Sequence, residues 1–170
     1  MRRTLVSIIA ALMALGAMAM PALAAAPTRT VLEIPAYTLA HAQADYAAFG
    51  EGFADCGDFD ILATFEGSVT VTDWGDKMLR HVTYTGGFYN SSDPSKSAGR
   101  VGNTATWRYF NAAGDWTEVH IHGLREMAVL ADGRHLAVDV GYSAFSFELE
   151  EVLHEAGPKG DIAALCEALR

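Results

Sequence analysis

The stretch that decides the fold is FDILATFEGSVTVT, residues 59–72. Its apolar side chains fall on odd positions and its polar side chains fall between them, with Leu62 as the exception. Successive side chains of a β-strand point to opposite faces of a sheet, so this alternation is typical of a strand with one buried face. We therefore expect a half-buried sheet to begin here.

A polar turn at residues 73–76 follows, and the chain then returns with the same period. One face of the returning run carries Met78, Arg80, Val82, Tyr84 and Phe88. Two alternating runs joined by a short polar turn predict a β-hairpin.

Three further runs extend the pattern, at residues 105–109, 116–130 and 135–147. Gly123 interrupts the second, and the buried face of the third switches near Gly141, where we expect a β-bulge. Regular strands separated by turns predict a mainly β fold, an antiparallel meander forming a small barrel or sandwich. A stripe of apolar residues with helical spacing predicts a short C-terminal helix containing Ile162, Leu165, Cys166 and Leu169.

The N-terminus has the pattern of a cleaved secretory signal. Arg2 and Arg3 precede an apolar run over residues 5–20, and the small residues Ala22 and Ala24 at positions −3 and −1 predict cleavage after Ala24. The alternative of a membrane anchor is disfavoured, because a span needs about 20 apolar residues. We expect a secreted protein with no membrane span in the mature chain, organised as a signal peptide (1–24), an N-terminal extension (25–55) and a single β-rich domain (56–170). Residues 41–52 fit either a short helix or a loop.

The net charge limits the possible partners, and the cysteine content predicts a disulfide. The formal net charge of −9 argues against nucleic acid and anionic lipid surfaces as partners. The chain has two cysteines, Cys56 and Cys166. An even number of cysteines in an exported chain predicts a disulfide, here one that ties the C-terminal tail to the first core strand.

One motif indicates a metal site. The spacing of Gly114, His120, His122, Glu126 and Gly133 resembles the first metal-binding motif of the cupins. That resemblance implies a divalent transition metal held by His120, His122 and Glu126, a ligand set chemically suited to such an ion. The second half of the cupin pattern is absent, because no histidine follows residues 158–160 where one is needed.

Strand alternation bears on the same motif. Val119 and Ile121 share the face expected to be buried, which leaves His120 and His122 on the wet side. If a metal does bind, His81 or His135 would supply a further nitrogen ligand.

Aromatic residues suggest a different kind of site, a wall of rings that contacts a ligand, although in a small β domain aromatic residues are more often part of the core. The aromatic candidates are Trp74, Tyr89, Trp107, Tyr109 and Trp116.

The layout also resembles a group of small exported actinobacterial proteins with no assigned activity. The matching segments are residues 56–61, 93–97, 138–145 and 165–169, and the sequence departs from the group at Gly57-Asp58. The resemblance implies a β-barrel-like exported domain with a disulfide between its ends, and it transfers no functional residues.

These observations favour a non-enzymatic exported module, without a cofactor, that binds a small apolar ligand or a cell-surface partner. The alternative is a metal-dependent, cupin-like enzyme. A third interpretation is a structural or interaction module that has no pocket.

Overall fold

The computed structural model describes residues 26–158 and 160–170. The predicted signal peptide, residues 1–24, lies outside this part of the chain. In the described part, no helix combines the length and the apolar character needed to cross a membrane.

The described residues form nine strands and two helices. In chain order they are β1 (Thr28–Tyr37), α1 (Leu39–Phe49), β2 (Ala54–Asp55), β3 (Asp60–Ala63), β4 (Phe65–Asp73), β5 (Lys77–Asn90), β6 (Ser97–Phe110), β7 (Trp116–Val129), β8 (His135–Ser146), β9 (Glu151–Ala156) and α2 (Ile162–Ala168).

All the strands belong to one antiparallel sheet, with the order β1-β4-β5-β6-β7-β8-β9; β3 also pairs with β5, and β2 with β3. The predicted mainly β meander is therefore confirmed, including the hairpin of β4 and β5. Within residues 26–158 and 160–170, the outer strands β1 and β9 do not pair with each other, so the sheet is open and barrel-like or sandwich-like rather than a closed barrel.

The strand register sorts the side chains into two faces, because directly opposite residues of antiparallel strands point to the same side. We call one the core face; it carries Val69, Arg80, Val82, Phe88, Arg100, Thr106, Arg108 and Ile121. We call the other the histidine face; it carries His81, Trp107, Tyr109, His120, His122 and Tyr142.

The two ends of the sheet differ in what covers them. At one end, which we call the helix end, Ile61 and Phe88 are fully buried against Leu165 and Leu169 of the C-terminal segment. The predicted disulfide is present there, joining Cys56 to Cys166 with 5.6 Å between their Cα atoms. The opposite end, where the turns at 73–77 and 110–116 lie, is called the open end.

The predicted C-terminal helix is confirmed as α2, and its buried residues are Leu165 and Cys166. At the other terminus, residues predicted as an extension are part of the sheet, since β1 pairs with β4 from Thr28 to Ile34. Residues 41–52, whose sequence fits either a short helix or a loop, fall mostly in α1, which packs against β3. That packing explains the exception at Leu62, which is 3% exposed although it points away from the core face.

The predicted change of buried face in β8 is confirmed, but its position differs. The extra residue lies at Val138, where Met127 pairs with Ala137 and Glu126 pairs with Asp139. Leu136 and Val138 therefore point to the core face, whereas Val140 and Tyr142 point to the histidine face. A second irregularity in β7 leaves Arg125 unpaired between Leu124 and Glu126.

Candidate functional site

The structure does not bring the three predicted metal ligands together. His120 and His122 lie on the histidine face, opposite Trp107 and Ala105. Glu126 lies on the core face, where its two carboxylate oxygens accept hydrogen bonds from Nε and Nη2 of Arg100 at 2.7 and 2.5 Å. The irregularity at Arg125 causes this separation, because one additional residue in a strand reverses the face of those that follow.

His120 also has both of its ring nitrogens engaged. Its Nε2 lies 2.8 Å from Oε2 of Glu118, and its Nδ1 lies 3.1 Å from the hydroxyl of Tyr142. An ionised carboxylate only accepts hydrogen bonds, so Nε2 donates to Glu118, and in the neutral ring Nδ1 then accepts from Tyr142. Metal ligation by His120 would require one of these hydrogen bonds to break.

The two further nitrogen donors are also separated. His81 lies on the histidine face with its Nε2 2.7 Å from Oδ1 of Asn103, and His135 begins β8 at the helix end. Across the described residues, no three His, Cys, Asp or Glu side chains are grouped so that they could hold a metal ion. The transition-metal site stays a prediction.

The histidine face instead carries a row of rings that crosses the sheet near its open end. We call this row the aromatic band; its members are Trp74, Trp107, Tyr109, His120, Tyr142 and His154. The rings of Trp74 and Trp107 stack with centroids 5.5 Å apart, and Lys77 Nζ lies 5.9 and 6.0 Å from their centroids.

The remaining members of the band form a continuous chain. The ring of His120 lies 5.0 Å from that of Tyr109 and 5.9 Å from that of Tyr142, and Tyr142 lies 5.6 Å from His154. The band is partly open to water, since Trp74 is 36% exposed and the side chain of His120 is 24% exposed, and the carboxylate beside it, Glu118, is 42% exposed. Rings and hydrogen-bonding groups are thus offered to solvent on one surface.

A shallow groove of about 620 Å³ adjoins the band on the same side of the sheet. Its lining is mostly hydroxyl, amide and carboxylate groups, contributed by Glu33, Glu66, Ser68, Thr83, Thr85 and Asn103. The His81–Asn103 hydrogen bond links this groove to the strands that carry the band. The surface combines ring stacking with many donors and acceptors, a combination suited to holding a small polar molecule.

An enclosed ionic cluster lies on the core face, around Arg100 and Glu126. Their side chains are 10% and 14% exposed, and Nη1 of Arg100 donates to the carbonyl of Thr64 at 3.1 Å. The guanidinium carbon lies 4.9 to 5.7 Å from the centroids of four rings, those of Phe53, Phe65, Tyr84 and Phe88. The pair is fully engaged within the fold, which makes it a structural element.

Tyr84 completes this cluster. Its ring covers Gly102, where an added Cβ would lie 2.2 Å from the ring, and its hydroxyl donates to the carbonyl of Arg125. Burial, followed by interaction with Glu126, raises the pKa of Tyr84 above its usual range. The hydroxyl therefore stays protonated and serves as a donor.

The sequence indicated only part of the band. The sequence predicts Trp74, Trp107 and Tyr109 as candidates for a ligand wall, and they lie on the histidine face. Trp116 packs instead against Phe147, with its ring under Arg108. The contribution of His154 was missed, because β9 is a short strand whose six residues are all exposed and which has no alternating signal.

Comparison with known proteins adds no further assignment, since no protein-family model, curated protein or solved structure matches the chain.

Proposed function

We propose that this chain is an exported, non-enzymatic binding module that holds a small molecule, free or displayed by a cell-surface partner, on its histidine face. The predicted signal peptide supports export. The disulfide between Cys56 and Cys166 is compatible with an oxidising compartment outside the cytoplasm.

The aromatic band is the observation that carries the proposal. Its rings come from β6, β7, β8, β9 and the turn before β5, so the sheet itself holds them in one row. Clusters of rings left open to water mark binding sites more often than isolated exposed residues do. Tyrosine and tryptophan suit such sites, because they offer an apolar surface and a polar group together.

The chemistry of this surface favours a neutral, ring-shaped ligand rich in hydroxyl groups, such as a saccharide. The apolar face of a sugar ring can stack on Trp107, while Glu118, His81 and Asn103 supply hydrogen-bonding atoms nearby. Glu33, Glu66 and Glu118 disfavour a polyanion on this face.

The test is titration of the purified mature protein with neutral oligosaccharides, cellohexaose and chitohexaose, monitored by tryptophan fluorescence and by calorimetry. Trp74 and Trp107 lie in the band, so we expect saturable quenching by at least one of the two sugars. The Trp107→Ala variant should lose that binding. Trp116→Ala is the matched control and should retain it, because Trp116 lies outside the band.

Two results would contradict the proposal. One is the absence of any heat or fluorescence change with either sugar for protein whose disulfide is intact. The other is equal binding by the Trp107→Ala and Trp116→Ala variants, which would move the site away from the band.

A further inference from the structure

The open end of the core face carries an apolar surface that neither helix reaches. By register, Val69, Val71, Val82, Val119, Ile121 and Phe145 share this surface. Val69 is buried within the sheet at 6% exposed, and the other five are half-buried. In the described part of the chain, α1 packs against β3 and α2 against β8 near Ala137, both at the helix end. Leu32 of β1, at the margin of the surface, is 53% exposed.

Two arginines lie within this apolar surface, on neighbouring strands. Arg80 pairs with Thr106, and Arg108 pairs with Met78, so the arginines are diagonal neighbours on one face. Such neighbours have Cα atoms about 7–8 Å apart, within reach of a single small anion held between two guanidinium groups.

Neither arginine has a carboxylate partner among the described residues; Arg29, which lies on the histidine face by register, is the other described arginine without one. Arg100, Arg125, Arg134 and Arg170 each form an ion pair. Asp73 is the acidic residue next to Arg80 on this face by register, but its Oδ1 accepts the N–H of Gly75 at 2.7 Å.

Arg108 is the more constrained of the two. Its guanidinium carbon lies 4.1 Å from the ring centroid of Trp116, and its Nε is buried without a hydrogen-bond partner in the described structure. Burial, and secondly the positive charge of Arg80, lowers the pKa of Arg108. A bound anion would offset both the burial of the Arg108 charge and its repulsion by Arg80.

We propose that the open end of the core face binds a free long-chain fatty acid, with its carboxylate between Arg80 and Arg108 and its chain along Val82 and Ile121. This site is independent of the histidine face, which lies on the other side of the sheet. The planar fork of arginine matches a carboxylate, and the apolar residues beside it match an alkyl chain.

Charge decides between this ligand and other occupants. The chain carries a formal net charge of −9, which disfavours an anionic membrane surface and favours a monoanion over a phosphate headgroup of nearly two charges. A second copy of the chain packed on this surface would bring four unpaired guanidinium groups together, which like-charge repulsion opposes.

The test is calorimetric titration of the mature, oxidised protein with palmitate below its micellar concentration. We expect saturable binding that weakens at least about tenfold in Arg80→Gln and in Arg108→Gln, because each change removes a charge-assisted hydrogen bond. Arg134→Gln is the matched control, since Arg134 pairs with Asp132 in an exposed turn, and it should bind palmitate like the wild type. Hexadecanol, which has the same chain and no charge, should bind more weakly and respond to neither substitution.

A second measurement keeps the proposal testable if a glutamine variant folds poorly. Palmitate carrying a diazirine on its chain should label the peptides of β5 and β7 in the wild-type protein, and excess palmitate should prevent the labelling. The proposal is overturned by no binding of palmitate, by wild-type affinity in the Arg80→Gln/Arg108→Gln double variant, or by equal affinity for hexadecanol. Tighter binding of lysophosphatidate would overturn the choice of a carboxylate, and labelling confined to the histidine face would overturn the location.

Discussion

The arginines at the two ends of the core face differ in whether they form an ion pair. At the helix end, Arg100 is enclosed by rings and bonded to both carboxylate oxygens of Glu126. At the open end, Arg108 lies on the same strand as Arg100, β6, and Arg80 lies on the neighbouring strand β5; both point to the same face as Arg100, yet they form no ion pair within the described residues. Arg100 and Arg108 share a strand and a face, so the presence of a carboxylate partner is what distinguishes the two.

The largest expected effect comes from breaking the paired end. Glu126→Ala leaves a buried guanidinium without its counter-charge, and loss of one partner of a buried ion pair costs about 3–5 kcal/mol of the free energy of unfolding. Urea denaturation followed by circular dichroism measures it. Glu118→Ala is the control, because its exposed pairing with His120 should contribute about 0.5 kcal/mol or less. Equal losses in the two variants would show that the Arg100–Glu126 pair does not stabilise the helix end.

Removing the covalent link tests the same end in another way. Cys56→Ala/Cys166→Ala should lower the free energy of unfolding by about 2–5 kcal/mol, because the bond closes a loop that spans 110 residues. The wild type unfolded with a reductant present should behave like the variant. Unchanged stability in both would mean that α2 packs as firmly without its disulfide.

We expect a smaller difference in the free energy of unfolding between variants of Asn90 and Asn111, two asparagines that make similar hydrogen bonds at opposite ends of the sheet. Asn90, at the helix end, is 5% exposed; its Nδ2 donates to the carbonyl of Leu169, and its Oδ1 accepts from Ser92 and Asp93. Asn111, at the open end, accepts from Ala113 and Asp115 in an exposed turn.

Asn90→Ala should therefore cost about 1–3 kcal/mol, because it leaves buried groups without partners. Asn111→Ala should cost about 0.5 kcal/mol or less, because water replaces its bonds. Thermal and urea unfolding of both variants measure the difference. A larger loss for Asn111 would contradict the assignment of the core to the helix end.

The smallest expected change comes from the unpaired arginines. Arg108→Gln should alter the free energy of unfolding by no more than about 0.5 kcal/mol, because the charge it removes is partly buried and lies next to Arg80. Arg100→Gln, the same substitution eight residues away on β6, should lose several kcal/mol, as Glu126→Ala does. Similar losses in both would remove the contrast between the two ends.

Much of the sheet could be predicted from the sequence, because its central strands alternate cleanly. The hairpin of β4 and β5 follows from the period of two in residues 59–72 and 78–88. The outer strands could not be predicted in the same way. β1 is exposed at most of its positions and β9 at all of them, so burial imposes little alternation on either strand.

By itself, the sequence determined the antiparallel class, the C-terminal helix, the disulfide and the placement of His120 on the face opposite Val119 and Ile121, since each depends on local periodicity or on cysteine count. The side on which Glu126 points was decided by tertiary structure alone. Counted along the strand, Glu126 has the same parity as His120 and His122, which is why the three resembled one ligand set. The additional residue at Arg125 turns Glu126 to the core face, where Arg100 binds it. A bulge depends on how neighbouring strands pair, and residues far apart in sequence determine that pairing.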